Sequence, residues 1–183
     1  MKKNFLVVIM LLIFIKLSAQ ENAFTISGGY SFANIEDSDE KGTGFRINGL
    51  YEYIPHAGNF AHGFAISYIG LSAEGTLFAE PVTYKINSWP FYYAPKFMFG
   101  TEKFKGYIKG VLGTQFASFK REGNLTTLED HDFGFYGGGG GGIKLILGDK
   151  LFIHAEYEIA WASNAWYGDG WINSAMGGIG IQF

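Results

Sequence analysis

The sequence predicts an all-β chain that closes as an eight-stranded antiparallel up-and-down barrel crossing a membrane. Three observations predict it: an apolar leader that exports the chain, a series of period-two segments joined by connections of alternating length, and a final apolar residue, Phe183, in register with the strand before it. Composition agrees. Of 183 residues, 48% are hydrophobic and 17% charged, which separates the chain from disordered sequences. Aromatics reach 18%, and 27 glycines stand against 4 prolines, a balance suited to strands with one face on lipid and the other on a packed interior. With no cysteine, disulfides, thiolate metal sites and catalytic thiols are excluded.

The leader comes first. Lys2 and Lys3 form a positive start, residues 5–15 (FLVVIMLLIFI) are unbroken apolar, and Leu17-Ser18-Ala19 offers a small residue before Gln20. This is the pattern of a secretory signal peptide cut after Ala19, leaving residues 20–183 as the mature domain. The run is shorter than the roughly 20 apolar residues a membrane helix needs. A lipoprotein signal would need cysteine where Gln20 stands. Removing Lys2, Lys3 and Lys16 takes the formal charge from -3 to -6, which argues against a nucleic-acid partner.

The strands follow. In the first, Phe24, Ile26, Gly28, Tyr30 and Phe32 share one face and Thr25, Ser27, Gly29 and Ser31 the other. The second sets Phe45, Ile47, Gly49, Tyr51 and Tyr53 against Arg46, Asn48 and Glu52; the third sets Phe64, Ile66, Tyr68 and Gly70 against Ala65, Ser67 and Ile69. The fourth places Trp89, Phe91, Tyr93, Phe97 and Phe99 opposite Ser88, Tyr92 and Lys96, although Pro90 and Pro95 each remove a ladder donor. The fifth faces Ile108, Gly110, Leu112, Thr114 and Phe116 outward and Lys109, Gly113 and Gln115 inward. The sixth runs from Phe133 through six glycines, 137–142, to Ile143, Leu145 and Leu147, with Lys144 inward. In the seventh, Leu151, Ile153, Ala155, Tyr157, Ile159 and Trp161 oppose His154, Glu156 and Glu158; the eighth spans about 171–183. Short connections follow the second, fourth and sixth strands. Longer ones, 35–42, 73–82, 118–132 and 164–170, follow the others, which is the layout of short periplasmic turns and longer outer loops. A soluble lipocalin-like barrel is the competing architecture.

Gly178, Ile181 and Phe183 resemble the C-terminal sorting signal of outer-membrane barrels, with Ile181 in place of the usual aromatic; that resemblance implies recognition by the barrel-assembly machinery. Across the mature chain, and most clearly in 88–99 and 105–116, the pattern resembles the OmpA/OmpX-like small barrels as found in Bacteroidetes. The resemblance implies the cell outer membrane, with its lipid and lipopolysaccharide, as the environment. A second, local resemblance is to PagL-type lipid A deacylases, which carry His-x-Ser-Asn with the histidine as base and an acidic residue downstream. Here Ser163 matches the nucleophile and Asn164 the following Asn, while Trp161 occupies the base position and Asn173 the acidic one. A serine without its base is a weak nucleophile.

The inward face carries Arg46, Glu52, Lys96, Lys109, Lys144, His154, Glu156 and Glu158: four cations, three carboxylates and a histidine. A narrow lumen holds such charges cheaply only when they are paired, so a plugging ion-pair network is expected, with a narrow ion path as the alternative. Glu156 and Glu158 lie two apart along one wall, a poor arrangement for acid–base work across a substrate. The glycine run is similar in composition to phosphate-binding loops but continues as strand, without the helix those need. Asp37-x-Asp39 has too few ligands for a calcium loop, and His56, His62, His131 and His154 lack metal spacing, so no metal or cofactor is expected. The expected role is a non-enzymatic barrel, structural or binding an unidentified protein partner through its outer loops. Lipid A deacylation at Ser163 is the enzymatic alternative, and an accessory subunit of a larger outer-membrane assembly the third.

Overall fold

The computed structural model describes residues 20–36, 38, 41–55, 58–77, 80–123 and 127–183. The leader, with its expected cut after Ala19, lies outside the described residues, as do Asp37, Asp39 and His56. Eight strands follow in chain order: β1 (Gln20–Ile35), β2 (Lys41–Pro55), β3 (Phe60–Leu77), β4 (Glu80–Gly100), β5 (Phe104–Gly123), β6 (Thr127–Leu147), β7 (Leu151–Ala162) and β8 (Tyr167–Gln182). Each pairs antiparallel with its sequence neighbour, and β1 pairs with β8, closing the barrel. Stepping across the strands from Ala23 through Glu52, Gly63, Ala94, Val111, Gly138, Ala160 and Ile172 returns to β1 at Ala33, ten residues on. For eight strands, that stagger corresponds to a tilt of about 40° and an interior just wide enough for side chains.

The outward face is apolar over a band. Phe24, Ile26, Phe64, Ile66, Phe91, Leu112, Ile143, Ile159 and Ile179 are all exposed on it, with no protein to cover them. Lipid is the solvent that makes this favourable. Allowing for the stagger, Tyr30, Phe45, Tyr68, Trp89, Phe116, Trp161 and Trp171 form an aromatic ring toward one end, while Phe60, Phe99, Phe104 and Phe183 lie at the other. The separation is about ten residue steps, roughly 25 Å on tilted strands, the height of an outer-membrane apolar band.

β4 accommodates its two prolines by interrupting one ladder at a time. At Pro90 pairing with β3 pauses between Phe91 and Ser88 while Pro90 still opposes Gln115 on β5. At Pro95 pairing with β5 pauses between Tyr93 and Lys96 while Pro95 still opposes His62 on β3. The register is the same on both sides of each gap, so a missing N–H costs a rung and not the strand.

The connections differ from expectation. Segments 73–82 and 118–132, expected as loops, are mostly strand: β3 reaches Leu77, β4 starts at Glu80, β5 reaches Gly123 and β6 starts at Thr127. β8 likewise starts at Tyr167 and not near Trp171. The reason is an inversion of pattern. Above the aromatic ring the wall faces water, so polar residues such as Lys85, Lys120 and Glu122 turn outward. Ile35, Leu71, Ala73, Val82, Tyr84, Ile86, Phe119 and Tyr167 turn inward into one buried cluster, against which Trp166 packs with its ring 5.5 Å from that of Phe119. A search for apolar-outward alternation lapses where the solvent changes.

Candidate functional site

Below the apolar cluster the lumen holds charge. Arg46 on β2 is 1% exposed, and its Nη1 lies 2.6 Å from Glu158 Oε1 on β7. Its other nitrogens are taken up as well: Nε donates to Ser67 Oγ (3.0 Å) and Nη2 to Tyr92 Oη (2.9 Å). Tyr136 Oη donates to the same Glu158 oxygen at 2.8 Å. Lys109 on β5 bridges Glu156 and Glu158 at 2.6 Å each, and Tyr107 Oη donates to Glu156 at 3.0 Å. Lys96 meets Glu52 at 2.7 Å and stands 4.3 Å from the Tyr107 ring centroid. Arg46, Glu156 and Glu158 thus each meet an opposite charge and make further hydrogen bonds, Lys109 is held by two carboxylates and Lys96 by Glu52, the condition under which buried pairs are tolerated.

The glycines of 137–142 make room for this. A side chain at Gly140 would crowd the Lys109 stem, and one at Gly142 would meet the Tyr107 ring at 2.7 Å. On β8, a side chain at Gly178 would strike the Ile26 carbonyl and lie 2.5 Å from His154 Nε2, so the imidazole occupies the notch that Gly178 leaves. His154 joins the network through Tyr107 Oη, 3.1 Å from its Nδ1. Lys144 has no carboxylate partner among the described residues. Its ammonium stands 3.6 Å from the Phe152 ring centroid and 3.5 Å from Gln182 Oε1. Gln182 Nε2 in turn donates to Glu21 Oε2 at 2.5 Å, so an amide relays the fourth cation to a fourth carboxylate. Sequence reasoning missed Glu21 and Gln182 because they lie at strand ends. It also missed the tyrosine partners, because on the inward face a tyrosine reads as packing.

Ser163 sits just past β7. Its Oγ accepts a hydrogen bond from Phe135 N at 2.8 Å, and its own N donates to Phe135 O at 3.1 Å. Among the described residues no histidine or carboxylate is a hydrogen-bond partner of Ser163. The neighbouring Asn164 is buried, accepting from Gln115 (2.5 Å) and donating to Asp132 (3.0 Å). Trp161 and Asn173 face outward, and Tyr157 Oη donates to Asn173 Oδ1 at 3.0 Å. At the closing seam Phe183 exchanges backbone hydrogen bonds with Asn22 (2.9 and 2.8 Å), with Ile181 and Phe183 exposed on the lipid side.

The outer end is uneven. β3 to β6 rise as a four-stranded sheet above the shorter β7–β8 side. β6 pairs with β5 from Thr127 onward but with β7 only from Tyr136. On the side facing β7, residues 127–134 therefore present an edge without a strand partner among the described residues. Phe135 bonds toward β7, so by two-residue alternation Phe133, His131 and Glu129 aim their backbone groups the same way. His131 N donates to the Asp130 side chain at 2.8 Å. Phe133 is 66% exposed and Leu128 48%. On the outer wall, Lys85 and Lys120 oppose one another directly and share Glu122, at 2.7 and 2.5 Å. Hydrogen bonds from Lys120 and then Lys85 hold the Glu122 carboxyl down to about 2.

The family model described as "Outer membrane protein beta-barrel domain" matches residues 5–183. No curated protein matches the chain. Among solved structures, the attachment invasion locus protein Ail of Yersinia pestis is similar at 18% identity, covering 89% of this chain and 98% of Ail with a TM-score of 0.58. Neisserial surface protein A is similar at 12% identity, with 88% and 99% covered and a TM-score of 0.57. OprG of Pseudomonas aeruginosa is similar at 13%, with 88% and 96% covered and a TM-score of 0.50. At these identities the likeness carries the fold.

Proposed function

The chain belongs to the outer membrane protein β-barrel domain family and resides in the outer membrane, and on that premise we propose that it is a non-enzymatic barrel that holds a protein partner at its outer end. The open β6 edge at residues 127–134 carries this reading: its outward-aimed backbone groups have no strand partner among the described residues, the His131 N–H being held only by the adjacent Asp130 side chain, and beside exposed Leu128 and Phe133 such an edge is what an added strand pairs with. The lumen supports it from the other side: with Arg46, Lys109, Glu156 and Glu158 interlocked, the barrel is a rigid support and not a conduit. Ser163 with a backbone amide as its partner lends no support to a deacylase, so Ser163→Ala is expected to leave the acyl number of cellular lipid A unchanged. The outward Ile181 and Phe183 and the bare Gly178 support a sorting role for the last strand.

The edge is tested by proline. At Phe133 or His131 the N–H faces away from β5, so proline there spares the β5–β6 ladder and blocks an added strand. A photo-crosslinking side chain at Leu128 on intact cells is expected to give a protein adduct that Phe133→Pro abolishes. An adduct indifferent to the proline, or none, would overturn the reading. If the adduct is a component of a larger outer-membrane assembly, the chain is its accessory subunit.

A further inference from the structure

Residues 127–134 alternate between two faces. Glu129, His131 and Phe133 lie on the outward one, where Glu129 opposes Lys120 on β5 and the His131 ring stacks on that of Phe116 at 5.9 Å. Leu128, Asp130 and Asp132 lie on the inward one, opposite Arg121, Phe119 and Ala117. The outward charges balance, since Glu122 and Glu129 answer Lys85 and Lys120. The inward ones do not. Asp130 Oδ1 accepts from the N–H of its neighbour His131 at 2.8 Å, and Asp132 Oδ2 from the Asn164 amide at 3.0 Å. Among the described residues neither carboxylate forms an ion pair, even though Arg121 stands on the inward rung next to that of Asp130. Across the fork, residues 163–170 add Asp169 and no Lys or Arg.

These carboxylates decide what the edge can receive. In an antiparallel ladder, residues that aim their backbone groups at one another pair, so Glu129, His131 and Phe133 take partners of like aim. Against a second copy of this edge, a pairing centred on Glu129, Asp130 or Asp132 sets that carboxylate against itself. One centred on His131 sets Asp130 against Asp132 twice. In parallel and in register, each carboxylate again meets its own copy. Like charges directly opposite are destabilising, so the edge rejects its own kind. The same carboxylates favour a strand that brings Lys or Arg opposite Asp130 and Asp132, two residues apart and so on one face. The residue between those cations falls on the other face, where an apolar side chain packs against the His131, Phe116 and Phe133 rings.

We infer, on the reading that the β6 edge adds a strand, that the strand it receives is a cationic segment of a partner protein in which Lys or Arg alternates with apolar residues, the cations turned to Asp130 and Asp132. Asp130 has a second part in this. Its carboxylate holds the His131 N–H, which blunts the edge. An incoming strand's carbonyl takes that donor and frees the carboxylate for the incoming cation, so a cationic strand is compensated for displacing the cap and a neutral one is not.

The test uses the full mature chain folded in zwitterionic detergent micelles and the fluorescence anisotropy of short labelled peptides. One alternates lysine with valine, a second alternates glutamine with valine, and a third has the first one's composition in the repeating order Lys-Lys-Val-Val. The alternating lysine peptide is expected to bind roughly fivefold more tightly than the glutamine one at low salt, as two exposed ion pairs contribute, with the gap closing as salt is raised. Asp130→Asn with Asp132→Asn should remove that gap. Phe133→Pro should abolish binding of both alternating peptides, and heat-modifiable migration on gels should persist in every variant. Equal binding of the lysine and glutamine peptides, both lost with Phe133→Pro, would overturn the cationic partner and leave the strand-adding edge standing. Equal binding of the two lysine peptides would show attraction without strand register and overturn the alternating pattern. Lysine-peptide binding that survives Phe133→Pro, or no binding by any peptide, would overturn the edge as well.

Discussion

The same chemistry is used twice in this barrel, in opposite surroundings. In the lumen, Arg46 and Lys109 grip Glu158 and Glu156 at 2.6 Å with side chains almost wholly buried. On the outer wall, Lys85 and Lys120 grip Glu122 at 2.7 and 2.5 Å with all three side chains at least a third exposed. Distances hardly separate the two clusters; the medium does. Inside, desolvation makes each charge dependent on its partner, so the cluster selects one packing and one register. Outside, water and salt screen the pairs, so the cluster adds little to folding and is free to exchange a partner.

The largest effect should come from breaking the buried side of that comparison. Arg46→Ala leaves Glu158 with Lys109 and the Tyr136 hydroxyl but without its guanidinium, removes the donors that the Ser67, Ser174 and Tyr92 hydroxyls accept, and is expected to cost about 3–5 kcal/mol in urea unfolding followed by gel migration. Replacing both partners, Arg46→Met with Glu158→Leu, should recover most of that loss, because the penalty belongs to the orphaned charge. A double variant no more stable than Arg46→Ala would show that the charges themselves hold the barrel.

Smaller in effect is Gly178→Ala, which drives a methyl into the Ile26 carbonyl and the His154 ring. A loss of about 1–3 kcal/mol is expected, and an unchanged unfolding midpoint would show that the wall yields there. Least is expected of the outer cluster: Lys85→Gln with Lys120→Gln should leave the midpoint within experimental error. The pH response sharpens the same point. Glu122 has its carboxyl lowered in the folded chain, so whatever it contributes is present above the ordinary carboxylate range near pH 4.3 and is lost as pH falls through about 2. Carboxyl NMR should show it titrating at about 2, moving up toward 4.3 in the double glutamine variant.

Much of the lumen was legible beforehand because a strand has a period of two. Once Phe45 and Ile47 are assigned to lipid, Arg46 has nowhere to point but inward, and the same logic places Lys96, Lys109, Glu156 and Glu158. The pairing within the lumen was not legible. That Arg46 meets Glu158 across the barrel, while Lys144 reaches Glu21 only through Gln182, depends on how far the strands are staggered, and no single strand records that stagger. The upper hairpins were misread as loops for a different reason. In 73–82 and 118–132 the outward residues face water and the inward ones are apolar, so the alternation persists with its sign reversed. Ser163 was legible as a residue type, but its partner, the Phe135 amide, comes from another strand.

The amino-acid sequence alone determined that the chain is a membrane barrel of eight antiparallel strands and which charged side chains turn away from its lipid-facing band, because side-chain alternation and the demand to satisfy every backbone group are local rules. Only the tertiary structure decided the ten-residue stagger, the partners of each buried charge, and the height to which β3 to β6 rise past β7. Those follow from closure, which sets every strand against two neighbours at once and is a property of the whole ring.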